Sequence, residues 1–179
     1  MITVLVDPGP FAGAELELGG VSYRHLFRAR RLPAGETLRV ADGQGHARWG
    51  EVARVDRASA LIALGAPAPA NEAPLRLDLL VAPPRPERAA WLVEKATEAG
   101  VSAIRFLNTE RAPRSPGPAT LARLRRIASA ALEQCHRSRL PDLTGPHPWS
   151  GLDSLAAAHP ARFFLDPAAP TPALSLAAH

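Results

Sequence analysis

The sequence is poor in the residues that most often carry covalent or metal chemistry. It has one cysteine, Cys135, so it can build neither an internal disulfide framework nor a cysteine-based zinc cluster. Its six histidines (His25, His46, His136, His147, His159 and His179) show no metal-ligand spacing, and no metal is expected. No stretch approaches eighteen consecutive apolar residues, which excludes a membrane-spanning helix. The opening MITVLVDPGPF has no basic segment followed by an apolar one and a small-residue cleavage site. Gly43 and Gly45 do not have the spacing of a dinucleotide loop, no helix pattern follows them, and there is no P-loop or nucleophile elbow. These exclusions leave a cytoplasmic chain whose single thiol reads as a small core residue.

Lysine is also nearly absent. Of 21 basic residues only Lys95 is a lysine, and the formal net charge is +4. A GC-rich coding sequence would raise arginine, alanine and proline together, and 19 prolines fit that reading. The alternative is that guanidinium groups serve for forked contacts to phosphate and for stacking on bases. Arginines cluster at Arg24, Arg28, Arg30 and Arg31, and again at Arg123, Arg125 and Arg126, which points to a polyanionic partner.

With 46% hydrophobic residues, 179 residues suffice for one good-sized core or two small ones. Residues 1–73 read as β: short apolar runs at Ile2–Val6, Leu38–Ala41, Trp49–Val55 and Ala60–Leu64 are separated by turn signals. Asp42-Gly43-Gln44-Gly45 is a hairpin signal, and Ser22–Arg31 a short helix. Close spacing of short strands predicts a small barrel. The Pro/Ala stretch Ala66–Pro74 is expected to be an extended linker, with the domain boundary there. From Leu75 strand and helix alternate: strand Leu75–Ala82, helix Glu87–Ala99 ended by Gly100, strand Val101–Leu107, helix Ala119–Cys135, a short helix Gly151–Ala158 and a third strand Ala161–Leu165. That order predicts a parallel sheet with right-handed crossovers. Ligands of such sheets bind beyond the carboxyl ends of the strands, here Pro83–Pro86, Asn108–Arg111 and Asp166-Pro167. On the first helix Trp91, Lys95 and Glu98 share a polar-aromatic face; a solvated surface with weak ion pairs would look the same.

Three stretches together resemble the RsmE family of RNA methyltransferases. Arg24-His25-Leu26-Phe27-Arg28-Ala29-Arg30-Arg31-Leu32-Pro33-Ala34-Gly35-Glu36, followed by the Asp42-Gly43 turn, is similar to that family's "H-x-x-x-V-L-R-x-x-x-G-D…D-G" segment. Glu94-Lys95-Ala96-Thr97-Glu98-Ala99-Gly100-Val101 resembles its "K-A-T-E-L-G-V" helix, with Ala99 where leucine is usual. Glu110-Arg111 and Glu133-Gln134-Cys135-His136-Arg137 resemble its "E-R-S" and "E-Q-S/C-x-R" motifs.

The resemblance implies an N-terminal PUA-like β-barrel over residues 1–73 followed by part of a SPOUT-type α/β knot domain with a parallel sheet over 74–179. It implies a homodimer that methylates N3 of a uridine in 16S ribosomal RNA, with S-adenosyl-L-methionine as methyl donor. Arg24, His25, Arg28, Arg30 and Arg31 would bind RNA; Arg111 or Arg137 would stabilise charge on the reacting base, with Glu110 a candidate base by position. Lys95, Glu98, Glu133 and Gln134 would be the other motif residues. The family's "G-P-E-G-G" and "L-G-x-x-I-L-R-x-E-T-A" segments have no counterpart here, which places the cofactor site beyond His179. A non-catalytic RNA-binding module is the competing reading, and a nucleotide-binding α/β enzyme unrelated to RNA is disfavoured by the missing Gly-rich loop.

Overall fold

The computed structural model describes residues 1–112 and 115–165. The expected loop at Asp166-Pro167 and the segment Leu174–His179 lie outside them.

The first sheet is built from β1 (Thr3–Leu5), β2 (Glu15–Leu18), β3 (Thr37–Ala41), β4 (Ala47–Val55) and β5 (Ala60–Pro67), in the order β1-β3-β4-β5-β2. A single helical turn, α1 (Pro8–Phe11), joins β1 to β2. The pair β1–β3 is parallel and the others antiparallel. Two register shifts in the β4–β5 ladder add local twist and bend, so the sheet curls. The helix expected over Ser22–Arg31 forms as α2 (Gly20–Tyr23) running into a π-helical turn, Arg24–Ala29. Its apolar residues Tyr23, Leu26 and Phe27 fill the concave side against Leu16, Leu18, Leu38, Val40, Val52 and Ile62. The curled sheet is half of the expected barrel. Among the described residues β1 and β2 remain unpaired edges.

The second sheet is parallel, in the order β6 (Asp78–Val81), β7 (Ala103–Asn108), β8 (Asp142–Pro148). Helices α3 (Pro86–Glu98) and α4 (Pro118–Cys135) cover one face, burying Ala89, Val93, Ala96, Leu121, Leu124 and Ala128 against Ile104, Phe106 and Leu143. Each helix has proline in its first turn, where the missing N–H costs no hydrogen bond. Gly100 (φ 88°) ends α3, and His136 (φ 60°) ends α4 in the left-handed conformation.

The third strand is not the expected one. Ala161–Leu165 is irregular, and Phe163, Phe164 and Leu165 are exposed. The strand is β8, whose Gly145, Pro146 and Pro148 argue against a strand in sequence. An edge position tolerates them, because only one side of the strand must supply ladder hydrogen bonds. A register shift between Arg105 and Leu107 absorbs the Gly145–Pro146 pair. Only glycine fits there: at φ 129°, a Cβ would lie 2.7 Å from the Phe106 carbonyl oxygen. After β8 come a 3₁₀ turn (Trp149–Gly151) and α5 (Leu152–Ala156), close to the expected short helix.

The stretch Ala66–Pro74 is no free linker. β5 extends to Pro67, the Ala68 amide donates to Ala47 O (2.8 Å), and Asn71 and Glu72 bond the segment that follows α4. Ala41, Ala47, Ala68 and Leu132 form a small apolar cluster shared by the two halves, flanked by Leu5, Trp49 and Leu140. The two sheets are separate, but they are not packed independently of each other.

At the amino end of β6, the buried Asp78 carboxylate accepts from Arg76 (3.2 and 3.3 Å) and Arg105 (3.2 Å) and lies 3.1 Å from His159 Nε2. Burial alone would raise its pKa. Hydrogen bonding and charge from Arg76, then His159 and Arg105, outweigh it and hold the carboxyl below the ordinary aspartate range. The stabilisation this brings is present above the unfolded-state value of about 3.9 and is lost as pH falls through the lower folded value. Asp78→Asn should therefore lower stability by about 1–3 kcal/mol at pH 7. Urea unfolding at pH 7 and at pH 3 should show the gap between wild type and variant narrowing at the acid end; a constant gap would deny Asp78 this role.

Candidate functional site

Parallel strands deliver their carboxyl ends to one side of the sheet, and there β6, β7 and β8 lead into Ala82–Arg85, Thr109–Ala112 and Trp149. The Ala112 amide donates to Thr109 O (3.1 Å), so Glu110 and Arg111 occupy the corners of a tight turn. Both side chains are exposed. Asn108, the last residue of β7, accepts a hydrogen bond from the Ser115 hydroxyl. This rim holds a cation, a carboxylate and an amide on the central strand of the sheet.

Arg137 is elsewhere. It is 3% exposed, at the opposite end of β7. Its guanidinium donates from Nε (3.1 Å) and Nη2 (2.8 Å) to Glu72 Oε2, and from Nη1 to Thr97 O (2.8 Å) and Val101 O (3.1 Å). Six strand residues separate that end from the Glu110–Arg111 turn, about 20 Å. Arg137 and Arg111 are thus not brought together. The expectation that Arg137 offers a free guanidinium to a reacting base is corrected to a structural role, since its donors are spent inside the joint.

Glu133 and Gln134 diverge. Gln134 is exposed, whereas Glu133 accepts the Leu5 amide (2.9 Å), covering the open edge of β1. Burial raises the Glu133 pKa; the Leu5 amide and the nearby charges of His25 and Arg30 pull it back without cancelling the rise. Lys95 is exposed and bridges Glu94 (2.8 Å) and Glu98 (2.9 Å), which raises its pKa and matches the surface-pair reading of that helix face.

Arg24, His25, Arg28, Arg30 and Arg31 are all exposed on and just after the π-helical turn. Arg28 is partly committed: it donates to Arg57 O (2.6 Å) and sits 5.8 Å from the centre of the Tyr23 ring. The field of His25 and Arg30 at Glu133 places this patch beside the last turn of α4.

Sequence reasoning missed Arg39, Glu72, Thr97 and Ser138, all of which have buried or bridging roles. Arg39, 1% exposed, donates to Arg137 O (3.0 Å), Pro69 O (3.1 Å) and Ser138 Oγ (2.6 Å). Its one available signal was a charge inside the apolar run Leu38–Ala41.

Residues 71–179 match the family described as an RNA methyltransferase domain. Over 143 residues the chain is 29% identical to ribosomal RNA small subunit methyltransferase E of Synechocystis sp., covering 80% of this chain and 47% of that protein. A solved structure from Porphyromonas gingivalis, named as a probable rRNA methyltransferase, superposes with TM-score 0.73 at 26% identity, over 85% of this chain and 63% of that one. The Neisseria gonorrhoeae ribosomal RNA small subunit methyltransferase E, bound to S-adenosyl methionine, has the same fold: TM-score 0.69, 24% identity, 80% of this chain and 61% of that one. The chain spans about half the length of the curated relative and less than two thirds of these solved chains.

The joint around Arg137 is testable without any ligand. Glu72→Ala would leave a buried guanidinium without its counter-charge and should lower stability by about 3 kcal/mol. Chemical denaturation should show this as a shifted midpoint, whereas Glu110→Ala, on the exposed turn, should leave the midpoint in place; equal midpoints for both would remove Glu72 from that role.

Proposed function

The chain belongs to the RNA methyltransferase domain family and resembles its RsmE members, and from that premise we propose that the protein methylates N3 of a uridine in 16S ribosomal RNA, with S-adenosyl-L-methionine as methyl donor. The observation that carries this reading is the exposed Glu110–Arg111 turn at the carboxyl end of the central parallel strand, where ligands of such sheets bind. On the same reading, residues 1–73 act as a PUA-like RNA-binding unit, residues 74–179 form part of a SPOUT-type unit, and the protein acts as a homodimer on the small ribosomal subunit in the cytoplasm.

Uridine N3 lies on the Watson–Crick edge, so the base must be unpaired or flipped before it reacts. N3 must lose its proton, and the charge then spreads onto O2 and O4. The Arg111 guanidinium can donate to one of these oxygens, and Glu110, its neighbour on the turn, is by position the candidate base for the proton.

The described residues do not by themselves fit the methyl donor. A molecule of that size needs a concave pocket with several convergent polar groups. Asn108, Glu110, Arg111 and Trp149 instead stand exposed on an open rim. No step through the donor is derived from them. The open rim also favours the second reading, an RNA-binding unit without catalysis of its own.

Deleting the gene decides between the two. Mass spectrometry of 16S ribosomal RNA should show the loss of one N3-methyluridine, its return with the wild-type gene, and its return to less than about a tenth with Arg111→Ala, consistent with the loss of a charged donor worth a few kcal/mol. Full N3-methylation in the deletion strain would leave the binding unit standing and sink the enzyme. In RNA binding, the Arg24→Ala, Arg30→Ala, Arg31→Ala triple variant should flatten the log–log salt dependence by roughly one unit for every phosphate left without its arginine. An unchanged slope would remove the patch from the interface.

A further inference from the structure

Trp149 is the first residue after β8, and it is 54% exposed. The β7–β8 register aligns Leu107 with His147 and Asn108 with Pro148. Trp149 follows directly on Pro148, at the point where β7 gives way to the Thr109–Ala112 turn. Trp149 therefore belongs to the same rim of the sheet as the turn that carries Glu110 and Arg111. Its position is fixed from both sides: Pro148 holds extended backbone before it (φ −66°, ψ 147°), and the Leu152 amide bonds Trp149 O in the 3₁₀ turn after it. The ring belongs to none of the three apolar clusters among the described residues, so the fold gains little from it there. A large flat ring on a fixed backbone, left in water on the same rim as a guanidinium, a carboxylate and an amide, is the arrangement that single-stranded nucleic-acid sites use to stack a base.

We propose that Trp149 is the stacking platform for the target uridine. The inference rests on the function proposed above and names a further residue of the same site. A base taken out of its stack gives up the faces of its neighbours, and an aromatic face replaces them. Stacking does not distinguish one base from another, because every base has a π-face. Trp149 thus supplies affinity and orientation, while the edge of the ring is left for Arg111, at O2 or O4, and for the Asn108 amide, which can both donate and accept. Trp149 is a binding and positioning residue and takes part in no proton transfer.

The test is fluorescence anisotropy of a dye-labelled, single-stranded oligoribonucleotide with one central uridine, together with the same oligonucleotide carrying an abasic residue at that place. Wild type should bind the uridine form roughly 5- to 100-fold more tightly than the abasic form, the range of base–aromatic stacking. Trp149→Ala should bind both forms alike, at about the affinity wild type has for the abasic form. Trp149→Phe should restore most of the difference. A role for Trp149 in folding alone would weaken both forms equally and keep the preference for uridine, and that result overturns the inference. So would equal weakening accompanied by a change in sedimentation, which would assign the ring to an interface between protein chains. Failure here is distinguishable from failure of the enzymatic reading, since N3-methyluridine in the deletion strain reports on methylation whether or not Trp149 stacks on the base.

Discussion

A guanidinium cannot lie in a protein interior without partners, and the arrangement of this chain follows from satisfying two of them. Arg39 leaves the outer face of the first sheet, opposite Leu38 and Val40 on its inner face, and is met by Arg137 O, Pro69 O and Ser138 Oγ. Arg137 in turn binds the backbone on either side of the α3–β7 turn. Glu72 supplies the counter-charge: it bonds Arg137 directly, and its charge opposes the lowering of the Arg39 pKa by burial. Glu72 Oε1 also accepts the Ser138 and Arg139 amides, so one carboxylate ties the connecting segment to the end of α4. The remaining ties between the halves are lighter: the small alanine-rich cluster with Leu132, the Leu5 and Thr3 bonds to Glu133 and His136, and the backbone bonds of Gly43 and Gly45 to Leu140 and Ser138. With all of these bonds, the arginine patch near β1 and the rim at the carboxyl ends of the second sheet are held in a fixed relation.

The same bonds sort the arginines. Composition alone could not separate guanidinium groups used as braces from those left to meet a partner. The distinction lies in how many donors are already spent. Arg48 gives four hydrogen bonds to Leu64, Gly65, Phe11 and Gly13 carbonyls, Arg125 one to Leu143, and Arg105 joins Asp78, Asp142 and Thr144. Arg111, Arg24, Arg30 and Arg31 remain exposed. The arginines therefore divide into those whose donors are spent inside the fold and those left exposed.

What was legible in the sequence was whatever depends on local periodicity. The Asp42-Gly43 turn, the stripes of α3 and α4 and the strand Leu79–Val81 follow from spacing and from glycine placement, and they form where expected. The motifs that carried the family resemblance could also be read, because they keep their order. What depends on a distant partner could not. Phe163 and Phe164 have strand-like chemistry and no strand partner among the described residues, while Asp142–Pro148 has poor strand chemistry and a neighbour in β7. Ala66–Pro74 has linker composition, but Glu72 within it finds a buried cation 65 residues away. Arg137 shares its motif with Glu133, and nothing local indicates that its side chain turns inward.

The prolines of β8 set a direction for the second sheet. Pro146 and Pro148 have no N–H to offer a new neighbour, and the bulge at Gly145 breaks the spacing such a neighbour would need. Among the described residues the outer edge of β6, Asp78–Val81, is unpaired, has no proline and presents an unbroken row of backbone groups. The sheet is thus closed to growth on one flank and open on the other, and a strand joining it from any source must lie against β6, which would turn that strand from a border into an interior one.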